Sequence, residues 1–466
     1  MLMQRLVSSA TVACVLQLFA GCALQQDTQI PRPVLNPPAI HDAAAALPDG
    51  APGNIDDLKT IPQDVSQFAQ AIKSPISPDE QAHAVQQFRE RYLSPWTSSQ
   101  PIYSLSQSIQ GMKDLAQKTW YGENRVRVDP QHIKAILADA ALEQIPSRNQ
   151  LGIVIAPTFM RALPSAKPWY ETADDFPFDQ LQYTELKPNE PVRILHESVS
   201  GAWLFIESAH VQGWVSADSV MLADPWVRQS LAGSSWVVIV RDFAVLRDEQ
   251  GKAVPQPKIG TLYPLIQEQQ DAWLVQMAAP GAAGQALLKP VRIAKTDARR
   301  FPLPFAAESV TLLGNELLNT AYGWGEVFRD RDCSATTRDF FLPFGIWLPR
   351  NSLKQVNVGR NVPLSGLSSA QKKKLISEQG VPFRTLIQSK GHIMLYVGLF
   401  DDKPVILHST WAIRFNNRQG QEEKFYIGKA VLTTLEPGAE LALSRGTLLS
   451  HIDAMLQLPA VTPHSR

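Results

Sequence analysis

The sequence predicts a multi-domain protein: a helical N-terminal region, then two small β units, then a C-terminal α+β domain. Three observations carry this. At 466 residues the chain is longer than one hydrophobic core serves, so several domains are expected. Apolar residues recur at helical spacing as far as about residue 147, after which short β-rich runs alternate with turn residues. From about residue 299 the two textures mix. Lys+Arg and Asp+Glu both number 44, which leaves no net field to gather nucleic acid, and no nucleic-acid partner is expected.

Residues 1–21 read as an export signal. Arg5 gives a positive start, Thr11 to Ala20 is mostly apolar but too short to span a bilayer, and Phe19-Ala20-Gly21-Cys22 follows. This resembles the bacterial lipoprotein signal. The resemblance implies export, lipidation of Cys22 and anchoring to a membrane through that lipid. Ala23 in the next place resembles the sorting signal for the periplasmic face of the outer membrane. Residues 22–60 read as a Pro/Ala-rich tether, in which Pro31, Pro33, Pro37, Pro38 and Ala43 to Ala46 offer little to a packed core.

Residues 61–147 read as a helical domain. Ser77-Pro78-Asp79-Glu80 is a helix start, with Pro in the first turn, and Ala82, Val85, Phe88 and Leu93 continue near helical spacing. A second helix opens at Asp129-Pro130 and runs through Ile133, Ile136 and Leu137. Two β units follow, at 148–230 and 231–298. Each shows a β run, a polar turn and a strand opening on Trp, at Trp203 and at Trp273. The pair resembles tandem bacterial SH3-like barrels. Trp203 and Trp273 are expected in barrel cores, and Trp214, after Gly213 at a turn-like site, on a ligand-facing surface. In the last segment, 299–466, helices are expected at Val310 to Leu318 and Asp332 to Phe341. A hairpin follows, His392 to Phe400 and Pro404 to Trp411, with its turn at Asp401-Asp402-Lys403.

The chain has three cysteines, Cys14, Cys22 and Cys333. The leader accounts for the first two. Cys333 is then the one free thiol expected in the mature protein, with no internal disulfide. A thiol attacks as thiolate, and free cysteine has a pKa of ~8.5. Asp332 as N-cap places Cys333 in a first helical turn, where the dipole and free N–H groups favour an anion. His392 and His408 follow on the two arms of the hairpin. A lone thiol, an imidazole and an orienting group form the nucleophile–base–orienter pattern.

Five blocks in order sharpen this: Tyr322-Gly323-Trp324-Gly325-Glu326, Asp332-Cys333-Ser334, Gly345-Ile346-Trp347-Leu348-Pro349-Arg350-Asn351-Ser352, Gly391-His392-Ile393 and Leu407-His408. They resemble the NlpC-type family of bacterial cell-wall cysteine peptidases. The resemblance implies a papain-like α+β catalytic domain over 299–466, without a cofactor or metal. It implies a Cys-His-His triad of Cys333, His392 and His408. The implied reaction is hydrolysis of the γ-D-glutamyl bond to a diamino acid in peptidoglycan stem peptides or muropeptides. It also implies that Asp332 holds the free amine of the substrate's L-Ala, and that Tyr322, Ser334 and Ser352 line the pocket for D-Glu. Asp179, Tyr183 and Trp214 are candidates for the barrel wall of the site. Three departures stand out: Glu326 replaces the second Gly of the family's Trp-Gly-Gly run, Ala335-Thr336 replace a Gly and an apolar residue, and Asn351 replaces Asp.

Three rival readings keep other chemistry in view. Cys333, His392 and His408 would make three zinc ligands, though no Cys-x-x-Cys or His-Glu-x-x-His spacing supports it. A non-catalytic wall-binding lipoprotein would use the barrels alone. An amidase or acyltransferase would use the same fold on another bond.

Overall fold

Among the described residues three sheets, of seven, six and six strands, carry the β part of the chain. The first takes strands from Gln150–Val154 to Val220–Leu222, and the second from Trp236–Ile239 to Ala298–Arg300. The third runs from Arg360–Pro363 to Ile452–Gln457 and has the Cys333–Phe341 helix packed on it. This is the expected order: helical region, two small β units, and an α+β domain. The computed structural model describes residues 54–458, apart from 71 and 73–75. The expected leader, Cys22 and most of the tether lie outside the described residues.

Residues 54–60 differ from the extended tether expected there. Asp56–Thr60 is a short helix, Ile55 is buried against Phe415, Phe425, Ile427 and Val431, and the Asp57 carboxylate accepts from the backbone and hydroxyl of Thr434 at 2.7 and 2.8 Å.

The helical region starts as its sequence demands. Ser77 and Glu80 form a reciprocal capping box, with Pro78 at the first position of the Pro78–Tyr92 helix. Its helices do not gather round a core of their own. Phe88 packs on Phe301 and Trp347, and Tyr92 on Trp236, so the first long helix lies on the second β unit and the last domain. Gln81 donates to the carbonyls of Leu303 and Phe344 at 2.6 and 3.1 Å. The helices Leu105–Ala116 and Pro130–Ala140 instead pack on Phe205 and Trp214 of the first β unit. The helical region therefore clamps the other units together.

That contact corrects the expectation for Trp214. It is fully buried, and its indole N–H donates to the sulfur of Met112 at 3.1 Å. Trp203 is half-buried beneath the same helices, while Trp273 lies in the core of the second β unit. The hairpin of the last sheet has its turn where expected. Phe400 pairs with Lys403, and Asp401 and Asp402 both take left-handed φ, +46 and +56, as a two-residue hairpin turn requires. The return strand is longer than expected, Lys403–Asn416.

Candidate active site

The Cys333–Phe341 helix begins as the sequence indicates. Asp332 stands before it in extended conformation, and its Oδ1 accepts from the backbone N–H of Ala335 at 2.9 Å. Cys333 is the free cysteine among the described residues and is 8% exposed. The backbone N–H groups of Ile393 and Ser334 favour its thiolate, which sets the sulfur beside the strand that His392 opens. Burial dominates all the same, with the Asp332 charge adding to it, and the thiol is pushed up to about 12.

Asp332 is a hub rather than a simple cap. Arg350 grips both of its oxygens, at 3.0 and 2.7 Å. Gly325 N–H and the Ser334 hydroxyl donate to it at 3.0 and 3.1 Å, and the Ser334 oxygen accepts from Arg350 at 2.7 Å. Glu326 stands behind Arg350. Its carboxylate accepts from Arg350 Nε at 3.2 Å, Arg338 at 2.7 and 3.1 Å, the Thr184 hydroxyl at 2.5 Å and Glu185 N–H at 3.3 Å. Glu326 is completely buried and holds φ +66, the left-handed region that glycine occupies most easily. The departure from the family's Gly is thus a substitution that keeps glycine's backbone and adds a buried anion. Gly325 before it is fixed by space, since a Cβ there would lie 2.6 Å from the Gln182 carbonyl oxygen.

The network extends into both β units. Asp339 accepts from Arg331, Arg338 and Lys187 at 2.7, 2.8 and 3.1 Å, and Arg331 also pairs with Asp242. Burial works to raise the Glu326 and Asp339 carboxyls, and the guanidinium groups outweigh it, so both are held well below the ordinary range.

On the opposite side of the site, among the described residues, neither histidine makes an ion pair. His392 Nε2 lies 2.9 Å from His408 Nδ1, and His408 Nε2 lies 3.0 Å from the Thr433 hydroxyl. Burial lowers both imidazoles, His392 to about 4 and His408 well below its usual value. The hydrogen bonds then assign the tautomers. The Thr433 hydroxyl donates its hydrogen to the carbonyl of Thr434 at 2.8 Å, so toward His408 it accepts. His408 Nε2 therefore carries the hydrogen and its Nδ1 does not. His392 must donate from Nε2, which leaves His392 Nδ1 as a bare acceptor.

A cavity of about 190 Å³ adjoins these groups, lined by Phe178, Tyr322, His392, Ser409, Thr410, Trp411, Ala412, Arg414 and Lys424. Phe178 comes from the first β unit and stands edge-on to Tyr322 and Trp324 at 6.4 and 5.3 Å. Of the residues singled out from sequence, Tyr322 and His392 line the cavity. Cys333, Asp332, Ser334, Ser352 and His408 do not. Ser352 is half-buried at the start of the Ser352–Gln355 helix, capped by Asn351. Asp179 is buried in an ion pair with Arg161 at 2.6 Å, a structural duty, and Tyr183 is exposed. Sequence reasoning missed Thr433, Phe178, Trp411, Arg414 and Lys424. A threonine, a basic pair or an aromatic in a strand or loop carries no local signal of its distant partner.

Comparison with known proteins bears on the domains and the fold. Residues 319–427 match the NlpC/P60 family, residues 168–216 an SH3 domain of the SH3b1 type, and residues 11–144 the N-terminal NLPC_P60 stabilising domain. The clamp formed by the helical region gives that last description a physical meaning. An NlpC/P60 endopeptidase from Photobacterium damselae subsp. piscicida superposes with a TM-score of 0.76 at 20% identity, covering 86% of this chain and 98% of its own. An NlpC/P60 family protein from Bacillus cereus gives a TM-score of 0.46 at 16% identity, covering 66% of this chain and 100% of its own. No protein with a curated description matches the sequence.

Proposed function

The chain belongs to the NlpC/P60 family of cell-wall hydrolases, and from that premise we propose that it is a cysteine endopeptidase that cleaves the γ-D-glutamyl bond to a diamino acid in murein stem peptides. The observation that carries the reading is the bare Nδ1 of His392, oriented through His408 and Thr433, on the strand beside the Cys333 thiol. In the resting site thiol and imidazole are both neutral. As Sγ bonds to the γ-carbonyl carbon, its proton passes to His392 Nδ1, and the imidazolium keeps its Nε2–H on His408. N–H groups at the start of the Cys333–Phe341 helix face the oxyanion. The C–N bond then breaks, and His392 returns the proton to the leaving amine. Water attacks the thioester, with His392 again as base, and releases the γ-carboxylate and the thiol.

In this reading Asp332, Tyr322, Ser334 and Ser352 hold the unprimed part of the peptide. The Asp332 oxygens are already engaged by Arg350, so any substrate amine joins an existing ion pair. We also place the protein in the cell envelope, anchored through a lipid on Cys22. The support is the leader sequence, and Cys22→Ser should release the protein from membranes. The catalytic reading is tested by mass spectrometry of a digest of L-Ala-γ-D-Glu-diamino acid peptides alongside muropeptides that carry the same stem on glycan. The expected products are L-Ala-D-Glu and a peptide beginning with the diamino acid. Release of intact stem peptide from glycan, an amidase product, contradicts it.

A further inference from the structure

The Lys403–Asn416 strand pairs with the His392–Phe400 strand only from Leu407 back to Lys403. Beyond that, His408 to Asn416 pairs with the Glu422–Thr434 strand and, at its end, bridges from Phe415 to Leu443, so the two strands run past the site as a ribbon. On it, Arg414 and Lys424 are directly opposed cross-strand partners. Like charges in that position destabilise a sheet. Both line the cavity that His392 and Tyr322 line at their end. Arg414 is partly neutralised by Glu422 at 2.5 Å, in a half-exposed pair that contributes little. Lys424 is half-buried and has no hydrogen-bond or ion-pair partner among the described residues. Asp175, from the first β unit, is the acid that feels both cations, and it makes no ion pair with either.

We infer that Arg414 and Lys424 form a carboxylate subsite, which selects peptides carrying a free carboxylate beside the bond that is cut. This rests on the stem-peptide reading above. The cavity is smaller than the ~300 Å³ at which ligand pockets begin, so it receives one part of a longer substrate. That part lies beside His392, and an anion there meets two cations that stand opposite each other on paired strands. Three carboxylates of a stem peptide have this chemistry: the α-carboxylate of D-Glu, the α-carboxylate of the diamino acid, and the side-chain carboxylate of a diaminopimelate.

The test uses the parent tripeptide and three versions, each amidated at one of these positions. Binding is measured on Cys333→Ala protein, and cleavage on the wild type. One amidation should weaken binding and kcat/KM about tenfold, the worth of a charge-assisted hydrogen bond. Lys424→Gln should do the same to the parent, Lys424→Arg should restore it, and amidation and Lys424→Gln together should lose little more than either alone. The position that responds identifies the carboxylate. Binding that ignores all three amidations, or a Lys424→Gln loss equal on every peptide, overturns the subsite and leaves the endopeptidase standing. Selective binding of the parent with no cleavage does the reverse. A parent peptide that does not bind at all overturns both.

Discussion

The two sides of the catalytic cleft bury polar groups in opposite ways. The helix side is fully ionised: Asp332, Glu326 and Asp339 are locked to Arg350, Arg338 and Arg331. The imidazole chain on the sheet side is neutral: His392, His408 and Thr433 form a single file of hydrogen bonds. Removing one member of a buried ion pair strands a charge and destabilises the fold by about 3–5 kcal/mol, whereas loss of one neutral hydrogen bond costs about 1 kcal/mol. The helix side is therefore built for position and the sheet side for proton transfer. No charged side chain hydrogen-bonds either imidazole among the described residues, so the chain leaves the protonation state of His392 free to change.

Substitutions that exchange these roles test the contrast, beginning with the largest effect. Cys333→Ala and His392→Ala should each lower kcat on the order of a thousandfold or more, with unchanged circular dichroism and melting temperature. Glu326→Gln should act through stability, lowering it by about 3 kcal/mol in urea melts. Glu326→Gly, which restores the family residue, relieves only about 1 kcal/mol of backbone strain, so the lost ion pairs win and it too should destabilise. The Glu326 carboxyl is depressed in the fold, so its contribution is present above the ordinary carboxyl pKa of about 4.3 and is lost as pH falls below it. A Glu326→Gly protein more stable than wild type at pH 7 breaks the comparison on the helix side.

Next comes His408→Ala, with a loss of about a hundredfold in kcat/KM, since the imidazole keeps its place on the strand but loses its orienting partner. Thr433→Val, which removes the hydroxyl that sets the tautomers, should lose about tenfold while melting normally. Wild-type activity in Thr433→Val would show that the chain of tautomers is not in use. The smallest effect is that of acid. Because burial lowers His392 to about 4, the base stays neutral across the mildly acidic range, and kcat/KM at pH 5.5 should lie within about threefold of its value at pH 7.5. An acid limb centred at 6.5 contradicts a buried, neutral base.

The parts legible in the sequence are those set by neighbours along the chain. Ser77 to Glu80, Asp332 as cap and Asp401-Asp402 as turn are local chemistry, and each stands where its residues put it. The order of the five motif blocks placed the thiol and both imidazoles in one domain. What stayed hidden depends on contacts between distant segments. Trp214 has the same local pattern whether it faces solvent or, as here, the helix that carries Met112. In the sequence Glu326 stands only as a replacement for Gly, and the approach of Thr184, Arg338 and Arg350 is what makes it a bridge. Thr433 lies 25 residues from His408 along the chain, and strand pairing alone brings it within reach.

The most direct test compares wild type and Cys333→Ala, each with and without EDTA, on the same muropeptides by mass spectrometry. The account predicts a cut between D-Glu and the diamino acid by the wild type, undiminished by EDTA, and no cut by Cys333→Ala. Cleavage at that bond by Cys333→Ala, or loss of the wild-type cut on chelation, would contradict it.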